Sequence, residues 1–130
     1  INALVDTGNQ LQDPLTKVPV IVVEMDAILK LLPGHIRDIF FNYKVDNDQL
    51  VTEMIDTPWS TRFRLIPFSS LGTENGMLVG FRPDEVEINT KEEIFTVNRV
   101  IIALQDRSLD SENNYQALLN PEVFRAAKTN

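Results

Sequence analysis

The run Ala3-Leu4-Val5-Asp6-Thr7-Gly8-Asn9 limits most strongly what this chain can fold into. Aliphatic residues lead straight into Asp-Thr-Gly, and a polar loop follows from Asn9 to Pro14. A strand ending this way delivers a carboxylate, Asp6, from a rigid element. Thr7 adds a hydroxyl able to hydrogen-bond locally, and Gly8, lacking a Cβ, lets other backbone or a second copy of the loop approach closely. These are the parts needed to hold two carboxylates side by side, sharing one proton with a water between them. Taken alone, Asp-Thr-Gly is better read as an ordinary turn, and residue frequencies produce it by chance in roughly a few of every hundred chains of this length. The rest of the chain has to decide.

Its 130 residues suffice for one domain with a real core. The absence of cysteine excludes disulfides, zinc–thiolate sites and thiol catalysis, and fits a reducing compartment. A single histidine, His35, argues against Ser-His-Asp catalysis and against a multi-histidine metal site, and it is read as a surface residue in the first turn of a helix. No metal and no cofactor is expected. The net charge of −7, from 19 acidic and 12 basic residues, repels nucleic acid and anionic lipid, so neither is expected as a direct partner. No apolar run has membrane-spanning length. The chain starts at Ile1, already in strand-like sequence, so it is expected to be one domain (residues 1–130) cut from a longer protein.

In order, the expected elements are strands at residues 2–5 and 17–24, the second a β-branched run with Pro19 near its beginning, and a turn at Asp13-Pro14 between them. A helix follows over 26–32, with Asp26 as N-cap and Pro33-Gly34 as the stop, then a second over 35–43 with Ile36, Ile39 and Phe40 on one face. Residues 44–53, polar and acidic, read as loop and the beginning of a strand. A long hairpin runs out along 61–68 and back along 77–81, its tip bracketed by Gly72 and Gly76. Further strands are expected at 85–88, 93–97 and 99–104, and a helix over 111–127 with Asn120-Pro121-Glu122 starting a last turn. The fold class is therefore mainly β with short helices. There is no internal repeat, hence only one Asp-Thr-Gly.

A strand ending in Asp-Thr-Gly, a glycine-tipped hairpin and a late aliphatic pair before a small residue together resemble the plan of the aspartic proteases. There the first gives the catalytic carboxylate, the second a flap over substrate, and the third a hydrophobic-hydrophobic-Gly strand that threads behind the catalytic loop. On this sequence they fall at Leu4-Val5-Asp6-Thr7-Gly8, at the hairpin around Ser70, Leu71, Gly72 and Gly76, and at Ile101-Ile102-Ala103, where alanine replaces the usual glycine. Leu78-Val79-Gly80 matches the third motif too, but it lies in the returning arm of the hairpin. More narrowly, Asp6-Thr7-Gly8-Asn9-Gln10-Leu11, Asp13-Pro14-Leu15-Thr16, Ile66-Pro67-Phe68, the stretch Glu74 to Asp84, and Tyr115-Gln116-Ala117-Leu118-Leu119-Asn120-Pro121 resemble the SpoIIGA family of sporulation sigma-E factor processing peptidases.

The resemblance implies a retropepsin-like aspartic protease β-barrel, truncated at the N-terminus. It implies Asp6 as the catalytic residue, supported by Thr7, Gly8 and Asn9. With one Asp-Thr-Gly per chain, the acid and base must come from two copies, so a two-fold homodimer is expected. The implied substrate is the sigma-E precursor, cut near its N-terminus, and the implied activator is a secreted signalling protein from the forespore. The missing N-terminal half would anchor the protein in the sporulation septum on the mother-cell side, with this domain on the cytoplasmic face. The alternative is a catalytically inactive protease-fold module for interaction or dimerisation, which Ala103 and the lack of a hairpin before the first strand favour. A lone-carboxylate hydrolase of another fold leaves the hairpin and late aliphatic strand unexplained.

Overall fold

Two aliphatic runs make the centre of the molecule in a computed structural model, which describes every residue except Val45, Leu71, Gly72, Ala126 and Asn130, and the side chains of all the rest except Ser70, Thr73, Glu74, Asn75, Lys128 and Thr129. The strands Val20–Glu24 (β2) and Ile101–Gln105 (β7) pair in parallel, Val20 opposite Ile101 through Glu24 opposite Gln105. Strands buried on both faces need apolar residues at successive positions, which is why both sequences read as unbroken aliphatic runs. Alternation divides them between two cores. Ile21, Val23, Ile102 and Leu104 face one, and Val20, Val22, Ile101 and Ala103 face the other.

Around this pair the main sheet has six strands among the described residues. Ala3–Val5 (β1) pairs in parallel with Ala117–Leu119 (β8), and β8 runs antiparallel to β2. On the other side, β7 pairs with Thr73–Phe81 (β4), the inner arm of a hairpin whose outer arm is Phe63–Ser70 (β3). The order is β1-β8-β2-β7-β4-β3. Gly80 lies opposite Ala103, and a Cβ on Gly80 would collide with the Ile102 carbonyl, so β4 reaches β7 only because residue 80 lacks a side chain. A smaller sheet is built from Val86–Asn89 (β5), Ile94–Val97 (β6) and Lys128–Thr129 (β9).

Helices cover one face of the main sheet. Met25–Ile28 (α1) runs into a 3₁₀ turn at Leu29–Leu31, followed by Gly34–Asn42 (α2) and Asn47–Ile55 (α3). Met25, Leu29, Ile36, Ile39, Phe40, Leu50 and Met54 join the first core from this layer. The second core is covered by loop residues Leu11 and Val18 and by Ile66 and Leu78 of the hairpin. Among the described residues no helix is long and apolar enough to cross a membrane.

Three expectations need correction. The stretch read as loop and strand, 44–53, contains α3. Asp46 caps it by accepting from the Gln49 N–H, and Leu50 and Met54, four residues apart, are buried on one face. The helix over 26–32 breaks into α1 and the 3₁₀ turn, with Asp26 inside the first turn and Glu24 in the cap position. Among the described residues of 111–127 the expected helix is absent. Its place is taken by β8 and a 3₁₀ turn at Pro121–Phe124, capped by the Asn120 side chain accepting from the Glu122 N–H. Burial between β1 and β2 outweighs whatever helical preference Ala117-Leu118-Leu119 carries.

Candidate active site

β1 lies at the sheet edge, with β8 on one side and no strand on the other among the described residues. The pairing continues one step past β1, where the Asp6 N–H donates to the Leu119 carbonyl at 2.9 Å. The chain then turns, the Asn9 N–H donating to the Asp6 carbonyl at 3.0 Å. Inside the turn Asp6 Oδ1 accepts from the Gly8 N–H at 2.9 Å, which orients the half-exposed carboxylate. A Cβ on Gly8 would stand 3.2 Å from that oxygen, so glycine keeps the turn tight. Thr7 is exposed, and its hydroxyl has no partner among the described residues.

Asn9 is the anchor of the loop and is buried. Its Nδ2 donates to the Val20 carbonyl at 3.1 Å and to the Leu118 carbonyl at 3.2 Å, and its Oδ1 accepts from the Leu11 N–H at 3.1 Å. One side chain thus ties the loop to β2, to β8 and to its own continuation.

The Asp6 carboxylate opens on a cleft of about 640 Å³, lined also by Gly8, Leu11, Leu118 and, from β3, Pro67 and Phe68. Asp6 is the one ionisable side chain among the described residues that line it. The hairpin therefore forms a wall of the cleft that the Asp6 loop floors. Gly76 lies opposite Phe68, and a Cβ there would come within 2.5 Å of the Phe68 ring, so the ring lies across the glycine. Among the described residues no group of three or more His, Cys, Asp or Glu is placed to hold a metal ion.

Asp6, Gly8 and Asn9 are thus brought to one cleft, and Gly76 reaches it through the Phe68 ring; Thr7 stands beside it. Ser70 ends β3, where it pairs with Thr73, while Leu71 and Gly72 lie outside the described residues. Ile101, Ile102 and Ala103 are not brought there. They form β7, separated from β1 by β8 and β2. The strand against the Asp6 loop is β8, and its aliphatic pair is Leu118-Leu119, followed by Asn120. The sequence held a signal for this. Asn120-Pro121 is a helix-start pair, and the residues before such a start are extended rather than helical. Leu11, Phe68 and Leu118 carry no comparable mark, being ordinary apolar residues that only the fold gathers.

Residues 1–123 match the peptidase family described as sporulation factor SpoIIGA. The chain is 33% identical over 125 residues to a putative sporulation sigma factor-processing peptidase of Bacillus thuringiensis subsp. kurstaki, covering 96% of this chain and 76% of that protein. It is 30% identical to the sporulation sigma-E factor-processing peptidases of Priestia megaterium and Bacillus subtilis. In both cases 95% of this chain is covered, but only 39% and 40% of the relative. The chain thus spans about two-fifths of the length of these two relatives. No solved structure matches it.

Proposed function

The chain belongs to the SpoIIGA family of sporulation factors, and from that premise we propose that it is the protease domain of a sporulation sigma-E factor-processing peptidase, of aspartic type, active as a homodimer. The substrate class carries over from the relatives named as sigma-E factor-processing peptidases, and in this proposal the bond cut is the one releasing the N-terminal pro-sequence. One observation carries the reading. A carboxylate held by its own Gly8 N–H at the end of an edge strand opens on a cleft walled by a long hairpin, and no second acid lines that cleft among the described residues.

Peptide hydrolysis by this chemistry needs two carboxyl groups, and a second copy of the chain supplies the other. Two aspartates a few ångströms apart do not both ionise easily, so the pair holds one proton. The charged member takes a proton from a water between them, and the water oxygen attacks the scissile carbonyl carbon. The neutral member donates a hydrogen bond to the carbonyl oxygen, and the pair then returns a proton to the leaving amine. Three features suit such a dimer. Leu4 and Val5 are 45% and 49% exposed beside Asp6, and among the described residues the outer edge of β1 is unpaired and the Thr7 hydroxyl has no partner, which leaves it able to bond across the two-fold axis. The arrangement is then retropepsin-like, with two hairpins over one cleft. Membrane anchoring through a preceding segment, a position on the mother-cell side of the septum and activation by a forespore signal belong to the same proposal.

The test is Asp6→Asn in the full-length protein in its membrane, with processing of the sigma-E precursor followed by gel. Loss of processing at normal protein level is expected. Unimpaired processing would leave Asp-Thr-Gly a turn and the chain a protease-fold interaction module, the reading that a single carboxylate in the isolated cleft also fits.

A further inference from the structure

The chain is strongly acidic, yet four arginines converge at the base of the hairpin. Arg64, Arg82 and Arg99, from three separate segments, border a second cavity of about 380 Å³ together with Asp13, Asp84 and Asn98. Both carboxylates there are already engaged. Asp13, with only 4% of its side chain exposed, accepts from Arg64 Nε at 3.2 Å through Oδ2 and from the Leu15 N–H through Oδ1. Asp84 accepts from Arg62 at 2.6 Å. That leaves Arg82 and Arg99, whose guanidinium groups have no hydrogen-bond or ion-pair partner among the described residues. Two guanidinium groups without partners at one cavity offer forks of donors to an oxyanion, and a carboxylate takes such donors two at a time.

The position of the cavity narrows the source of that carboxylate. Along β3, Arg64, Ile66 and Phe68 point to the same face of the sheet, as alternate residues of a strand do. Phe68 lines the Asp6 cleft, Ile66 is buried in the second core, and Arg64 lines the arginine cavity. The loop over this face repeats the pattern, with Leu11 in the cleft and Asp13 at the cavity. Four residues of strand separate Phe68 from Arg64, about 13 Å. We infer that Arg82 and Arg99 form a subsite for an acidic side chain of the polypeptide substrate, on the Arg64 side of the Asp6 cleft. This rests on the proteolytic reading above and adds to it a charge preference that no relative's name carries.

The test reads binding rather than cleavage, in the chain carrying Asp6→Asn. A fluorescein-labelled hexaglutamate peptide and its hexaglutamine counterpart are titrated by fluorescence anisotropy against this chain and against the same chain with Arg82→Gln and Arg99→Gln added. The hexaglutamate peptide is expected to bind, to weaken at least fivefold in the arginine variant and on raising salt, and to bind more tightly than hexaglutamine. Thermal melting checks that the variant folds, and Arg99→Gln alone replaces it if it does not. Equal affinity for the two peptides, no binding of hexaglutamate, or binding indifferent to the arginines overturns the assignment. So does inorganic phosphate binding, or capture on phosphatidylglycerol vesicles, that depends on the arginines while hexaglutamate does not bind. Failure here leaves the Asp6→Asn processing test untouched, and failure of that test leaves peptide binding readable.

Discussion

Asn9→Ala should do more damage than any other single truncation in the Asp6 loop. The substitution removes both Nδ2 donations, to the Val20 and Leu118 carbonyls, and leaves the Leu11 N–H without its Oδ1 acceptor. Hydrogen bonds of this kind contribute about 1 kcal/mol each, so the three together contribute about 3 kcal/mol. Solvent does little to soften the loss, because Asn9 is only 7% exposed. Against a total stability of about 5–15 kcal/mol this is a large fraction, and for a chain of this length it lowers the melting temperature by about 10 °C. Asn9→Asp supplies the control. It keeps the shape and the acceptor for Leu11 but turns a carboxylate oxygen toward two carbonyl oxygens, so it should destabilise at least as much. Thermal unfolding by circular dichroism, with urea titration beside it, measures both. If either variant melts within about 3 °C of wild type, Asn9 is not the anchor of the loop and the reasoning fails.

Three further outcomes follow from the same packing. Gly80→Ala drives a Cβ into the Ile102 carbonyl, and since backbone on both strands must move, a loss of about 2–3 kcal/mol is expected in urea unfolding; a neutral result would show that β4 does not approach β7 so closely. Gly76→Ala forces the Phe68 ring off the hairpin at a cost of about 1–2 kcal/mol, so processing of the sigma-E precursor should fall while the far-ultraviolet spectrum stays that of wild type. Leu4→Lys puts a charge on the exposed edge of β1 beside the expected dimer axis. Sedimentation equilibrium should find wild type dimeric and the variant monomeric with stability changed by no more than about 0.5 kcal/mol, and identical association would remove β1 from the interface.

What the sequence made legible was whatever is settled by neighbours along the chain. Residues 20–24 and 101–105 announce themselves as buried strands because both faces are covered, and the hairpin because its arms are joined directly. Asp6, Gly8 and Asn9 were legible as a loop for the same reason. α3 is hard to read because Asp46, Asp48 and Glu53 make residues 44–53 look like an acidic loop, whereas its signals are the Asp46 cap and the two buried residues Leu50 and Met54. β8 was missed because three residues, Ala117, Leu118 and Leu119, carry too short a pattern to separate strand from helix.

That last omission bears on the site itself. Beyond its own turn and the nearby Asn9 bond to Val20, what fixes the Asp6 loop in space comes from residues distant in sequence. The Asp6 N–H needs the Leu119 carbonyl, Asn9 needs the Leu118 carbonyl 109 residues away, and β1 needs β8 as its only strand partner among the described residues. A second asparagine makes the reverse connection, Asn120 Nδ2 donating to the Leu11 carbonyl at 3.1 Å. The two asparagines thus clasp the loop and the strand from opposite sides, Asn9 donating to β8 and Asn120 to the loop. A motif scan finds Asp-Thr-Gly and treats it as complete. Physically the carboxylate is placed only when the end of the chain has docked beside its beginning, so the candidate site is a property of the closed sheet rather than of the tripeptide. A peptide ending before Ala117 keeps Asp-Thr-Gly and loses every backbone contact to β8 that holds it. Such a peptide should not form the cleft, whatever becomes of its other strands.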